Sequence, residues 1–124
     1  MFPNNTNVLV YRRDYFSQLN AQNNYKIGVE VGVSEGNFSS FLLKTTHLNV
    51  LHSVDCWLKE NGEFDEKTYL KCKKNLEEFE NRSVIIVKTS LDASKMFNDG
   101  FFDFIYIDAD HSYEAIKEDL AMVS

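Results

Sequence analysis

An α/β domain built on a parallel sheet is the fold class this sequence predicts, and two observations predict it. Short β-branched and aromatic runs alternate with stretches whose apolar residues recur at helical intervals, and that alternation implies parallel strands joined by helical crossovers. The strand-like runs are also almost continuously apolar, as in a doubly wound sheet covered on both faces.

The elements follow in chain order. "YRRDYFSQLNAQ" places Tyr11, Tyr15, Phe16 and Leu19 on one stripe, an amphipathic leading helix. "KIGVEV", residues 26–31, is the first core strand. "NFSSFLLK" spaces Phe38, Phe41 and Leu42 as a helix does, and "NVLHSVD" returns to strand. "FDEKTYLKCKKNLEEFE" puts Tyr69, Cys72, Leu76 and Phe79 on one face with charges elsewhere, which makes it the clearest helix of the chain. "SVIIVK" reads as a buried β-branched strand. A short helix, "LDASKMF", leads through the turn Asn98-Asp99-Gly100 to the aromatic strand "FDFIYI". Ser112 is placed to N-cap a last helix whose buried stripe is Tyr113, Ile116, Leu120 and Val123.

Composition narrows the function classes. A chain of 124 residues with a net charge of -6 suits one soluble domain, divided here into a helical segment 1–26 and a core 27–124. No apolar run approaches the roughly 20 residues of a membrane span, and the start "MFPNNTNV" lacks the order of a signal peptide, so a cytoplasmic protein without a membrane partner is expected. Cys56 and Cys72 have no metal-ligand spacing and read as free thiols in a reducing compartment. The acidic balance argues against nucleic acid as partner; Lys71, Lys73 and Lys74 are interleaved with glutamates and read as the wet side of a helix. His47 and His52 have no polar cluster around them and read as surface or strand-edge residues.

In a doubly wound sheet ligands bind beyond the carboxyl ends of the strands. Those ends carry Glu30 to Gly36, Asp55 to Trp57, Thr89 with Ser90, and Asp108 to His111, and the four clusters should face one crevice. Gly32 and Gly36 sit between strand and helix, where a residue without Cβ can take positive φ and admit a ligand to the main chain. Asp55 stands where a carboxylate can accept from both hydroxyls of a ribose. The glycine spacing does not match the G-x-G-x-x-G of dinucleotide sites, so a nucleoside without pyrophosphate is the better inference and an NAD-dependent oxidoreductase the weaker one.

"VEVGVSEG" resembles the E-x-G-x-x-x-G glycine motif of class I S-adenosylmethionine-dependent methyltransferases, and "SVDCW" resembles their acidic second-strand end. "FDFIYIDADHSYEAIKEDL" is similar to the fourth-strand motif of the macrocin and catechol O-methyltransferase subgroup. The resemblance runs from about Ile27 to the end of the chain. It implies a Rossmann-like sheet, truncated to about four strands in the order 3-2-1-4 with flanking helices. It also implies S-adenosylmethionine as cofactor, with Gly32, Val33, Ser34 and Gly36 at its methionine part and Asp55 at its ribose. Cys56, Trp57, Thr89 and Ser90 would surround its adenine, and Glu30 would order the glycine turn from behind or reach the amino group.

The implied reaction is methyl transfer to a hydroxyl of a small molecule or sugar. Asp108 is then a ligand of the cofactor amine or of a magnesium ion shared with Asp110, and His111 the general base. Such enzymes usually continue through three further strands, which carry the remaining metal ligands. A chain ending at Ser124 therefore leaves the fourth strand as an open apolar edge, suited to pairing with another copy. A non-catalytic domain that keeps the nucleoside site is the competing expectation.

Overall fold

The computed structural model describes residues 7–9 and 24–107. Its strands are β1 (Asn7–Leu9), β2 (Ile27–Val31), β3 (Val50–Asp55), β4 (Ser83–Val87) and β5 (Phe104–Ile107). Its helices are α1 (Asn37–Thr45), α2 (Glu66–Leu76), continued by a 3-10 segment Glu77–Arg82, and α3 (Ser90–Ser94). The strands form one sheet in the order β1-β5-β2-β3-β4, and every neighbouring pair is parallel. β4-β3-β2-β5 is the expected order 3-2-1-4.

The expected open edge is not there. β1 pairs with β5 in the register Asn7↔Phe104, Val8↔Ile105, Leu9↔Tyr106, so part of the segment expected to be helical is a strand that satisfies the last strand's main chain. "NVL" escaped notice because a three-residue strand is too short to show a period. The leading helix expected at 11–22 and the final helix beginning near Ser112 lie outside the described residues.

Period-two alternation builds the two core layers. Phe104 and Tyr106 of β5 face the layer of Phe38, Leu42, Leu51, Cys72 and Leu76, under α1 and α2. Ile105 and Ile107 face the other way, onto Val29, Val54, Ile86, Ala93 and Phe102. Gly28 lies opposite Phe104 in the ladder, and a Cβ there would stand 2.1 Å from the Phe104 Cζ; the ring occupies the space a side chain would need. Asp103 ties β5 to β2, its Oδ2 accepting from the amides of Lys26 at 2.6 Å and Ile27 at 2.9 Å.

Three local expectations change. Within β4 only Ile86 is buried, while Val84 and Val87 stay exposed, because β4 ends the sheet on its side. Phe41 is exposed at 38%, and Ser39 and Leu43 join Phe38 and Leu42 on the buried face of α1. The α2 stripe holds through Cys72 and Leu76, but regular helix stops at Leu76, and Glu80, with φ of 51°, breaks the following turn. No helix among the described residues is long and apolar enough to cross a membrane.

Candidate functional site

The site grows from the turn between β2 and α1. Gly32 has φ of 86°, and its amide donates to the Val54 carbonyl at 3.0 Å, which fixes the turn to β3. Gly36 closes the turn, with φ of 82° as N-cap of α1 and its amide donating to the Val33 carbonyl. A Cβ on Gly36 would lie 3.0 Å from the Cys72 Sγ and 3.4 Å from the Leu76 Cγ. The absence of a side chain at this second glycine makes room for α2 as well as closing the turn.

Asp55, at the end of β3, meets this turn directly. Its Oδ2 accepts from the amides of Val33 and Ser34, each at 2.9 Å, and its Oδ1 accepts from the Trp57 amide at 2.8 Å. The turn amides and the carboxylate were expected to face each other across a ligand; here they are bonded to one another. A carboxylate has about four acceptor positions, so three main-chain donors leave it nearly saturated. The Trp57 ring closes the arrangement by donating Nε1 to the Ser34 carbonyl at 2.7 Å, and it packs edge-on against Tyr69 at 5.2 Å.

Two residues here hold backbone angles that side chains disfavour: Ser34 at φ of 56° and Trp57 at 47°. Left-handed non-glycine residues persist where surroundings over-determine them, and they gather at functional sites. Ser34, Asp55, Trp57, Leu58, Asp65 and Thr68 line a cavity of about 150 Å³. Asp65 caps α2, accepting from the Thr68 amide and hydroxyl, and those bonds hold its carboxyl below the usual range. Tyr69, Asp65 and Thr68 were not anticipated at the site. The D-x-x-T cap spacing was the available signal for the last two.

Behind the turn, Glu30 is 1% exposed and accepts from the Ser39 hydroxyl of α1 at 2.5 Å; Ser39 in turn shares a hydrogen with Ser53 of β3 at 2.8 Å. This buried polar group joins β2, α1 and β3 at the level of the site. Burial, and secondarily the charges of Glu30 and Asp55, push the Cys72 thiol up to about 12. Cys72 and the half-buried Cys56 are both free thiols.

Thr89 and Ser90 stand at the end of β4, where the fold puts them beside the β3 end. The Thr89 hydroxyl is already engaged, accepting from the Asp92 amide as N-cap of α3, and Ser90 is half-buried. Asp108, Asp110 and His111 lie outside the described residues. Among the described residues no group of three or more His, Cys, Asp or Glu is placed to hold a metal ion. His52, expected at the surface, is buried on β3: its Nδ1 lies 3.1 Å from the Gly28 carbonyl, and the rings of Phe97, Phe101 and Phe102 surround it edge-on. Burial lowers its pKa, so it serves the core as a neutral ring. His47 is exposed.

As a binding site the donor set suits a nucleoside with an amino-acid tail: main-chain groups at a glycine turn, a carboxylate at the next strand end, and an aromatic wall. The volume among the described residues is below the roughly 300 Å³ at which small-molecule pockets begin. A ligand of that kind would have to exchange partners with Asp55, taking over acceptor positions that Val33 and Ser34 now use.

Comparison with known proteins follows the same line. A family model described as a methyltransferase domain matches residues 29–124. A crystal structure provisionally assigned as a caffeoyl-CoA O-methyltransferase from Staphylococcus aureus is 27% identical, with a TM-score of 0.64, over 84% of this chain and 48% of that one. An O-methyltransferase from Bacillus cereus, solved in complex with S-adenosylhomocysteine, is 19% identical with a TM-score of 0.65, over 90% of this chain and 50% of its own, and supports the fold. The chain thus spans about half the length of both proteins. No match was found among curated proteins.

Proposed function

Since the chain belongs to the methyltransferase-domain family, we propose that it binds S-adenosylmethionine and serves transfer of its methyl group to a hydroxyl of a small molecule or sugar. One observation carries the reading: Asp55 and the turn 32–36 meet at the carboxyl ends of β2 and β3, with Ser34 and Trp57 held in left-handed backbone between them. β2 is also where the strand order turns, with β3 on one side and β5 on the other, the place where open α/β sheets bind ligands.

Bound there, the cofactor supplies an already activated methyl on a sulfonium, so the protein has mainly to orient the acceptor and take its proton. In this reading the main chain of Gly32, Val33 and Ser34 lies along the methionine part and Asp55 accepts from the ribose. Cys56, Trp57 and Ser90 border the adenine. Thr89 contributes through its position, since its hydroxyl caps α3. His111 takes the acceptor proton, and Asp108 holds the cofactor amine or, with Asp110, a magnesium ion. The neighbour with bound S-adenosylhomocysteine supports the choice of cofactor, and both O-methyltransferase neighbours support a hydroxyl acceptor.

Calorimetric titration with S-adenosylmethionine and S-adenosylhomocysteine tests the cofactor, with binding of both expected; failure to bind either refutes the reading. A panel of hydroxylated acceptors, run with and without magnesium, tests the reaction and the metal role of Asp108 and Asp110. Binding without transfer to any acceptor would favour a nucleoside-binding domain instead.

A further inference from the structure

We propose that a basic cleft at the amino-terminal end of the sheet binds a small anion carrying more than one phosphate. The cleft is shallow and open to solvent, with a volume of about 750 Å³, and Lys26, Lys44, Thr46, His47, Asn49 and Arg82 are among the residues that line it. Lys26 precedes β2, Asn49 precedes β3, Arg82 precedes β4, and Lys44 lies in the last turn of α1. Parallel strands bring these positions to one pole, and strands of five or six residues at about 3.3 Å each place it roughly 16–20 Å from Asp55. The cleft is therefore separate from the methyl-transfer site, and the proposal does not rest on that reading.

Charge is the first reason. Three cationic side chains line this cleft, with no carboxylate among the described lining residues, in a chain whose net charge is -6. Lys44 pairs with Glu78 at 3.7 Å, but both side chains are about 60% exposed, and such a pair is weak and readily exchanged. Neither Lys26 nor Arg82 has an ion-pair partner among the described residues; Asp103 is bonded to the Lys26 amide, not to its ammonium.

Preorganisation is the second. Arg82 donates Nε to the Leu48 carbonyl at 3.0 Å and Nη2 to the Thr46 carbonyl at 3.3 Å, which holds the guanidinium in place and leaves further donors of its fork for an oxyanion. Attraction of cations to the carboxyl end of α1 accounts for Lys44 and Arg82. It does not account for Lys26, which comes from another element. Three cations from three elements around one space match a ligand of two or more charges, and the volume falls within the roughly 300–1,000 Å³ of small-molecule sites.

The test is a titration of the ¹⁵N-labelled chain with sodium pyrophosphate at constant ionic strength, followed by amide shifts. Saturable shifts confined to Lys26, Lys44 to Asn49 and Arg82 are expected. ADP should reproduce them and adenosine should not, which assigns the affinity to phosphate rather than to base. Lys26→Gln combined with Lys44→Gln, both at exposed positions, should weaken pyrophosphate binding about tenfold with the far-UV spectrum unchanged. Arg82→Lys, which keeps the charge and loses the fork, should weaken it less. Shifts that do not saturate, that sodium chloride reproduces, or that survive the double substitution would overturn the proposal. Shifts given by duplex DNA and not by pyrophosphate would overturn it as well, in favour of a nucleic-acid surface.

Discussion

Asp55 is the residue whose removal separates the observed architecture from a simpler one. If its carboxylate clamps the glycine turn, Asp55→Ala strips the acceptor from three main-chain donors, those of Val33, Ser34 and Trp57. Val33 and Trp57 are 4% and 3% exposed, so water cannot readily replace the lost partner at two of them. An unmet buried donor costs about 1–3 kcal/mol, and relaxation of the strained Ser34 and Trp57 backbones returns part of that, so a loss of about 2–4 kcal/mol is expected. Asp55→Asn can keep its oxygen on Val33 and Ser34 but turns an NH₂ toward the Trp57 amide, for a loss of about 1–2 kcal/mol. Urea unfolding followed by far-UV circular dichroism measures both, and avoids the signal of Trp57, whose surroundings the substitution alters. An alanine variant within about 0.5 kcal/mol of the parent would refute the clamp, because that is the scatter of ordinary surface changes.

Three further outcomes follow from other parts of the structure. Gly28→Ala should destabilise the fold by about 2–3 kcal/mol, because its Cβ would stand 2.1 Å from the ring of the fully buried Phe104, and adding Phe104→Leu should recover part of the loss in the same urea assay. His52 has its pKa lowered by burial, so the unfolded chain takes up the proton first as pH falls. Its contribution is present above about 6.5 and is lost as pH falls through the lower folded value, so His52→Leu should flatten the fall in urea midpoint between about pH 7 and pH 5. With the Cys72 thiol pushed up to about 12 and its side chain buried, a thiol reagent at pH 8 should modify Cys56 in the native protein and reach Cys72 only on unfolding; equal rates for the two would contradict the packing of Cys72 beneath Gly36.

The alternation of strands and helices, and which groups stand at the strand ends, were legible because they rest on short-range chemistry, whereas the order β4-β3-β2-β5 was implied by the family resemblance. A β-branched run such as "SVIIV" and an α2 stripe of Tyr69, Cys72 and Leu76 declare their own geometry, and a parallel sheet then fixes which strand ends meet. What was missed depends on partners distant in the chain. β1 is three residues whose only signal is the β5 edge they pair with, more than ninety positions away. His52 reads as an edge residue until Phe97, Phe101 and Phe102 close around it from another segment.

By itself the sequence determined that the chain forms a parallel α/β sheet, and that the turn 32–36, Asp55 and Trp57 stand at one end of it. These are consequences of local periodicity and of the handful of ways such elements connect. Only the tertiary structure decided what those groups do to each other: that Asp55 holds the amides of Val33 and Ser34, that Gly36 makes room for Cys72, and that Gly28 makes room for Phe104. Hydrogen bonds and close packing act over about 3–4 Å, and no spacing along a chain reports a distance of that size between residues twenty to eighty positions apart.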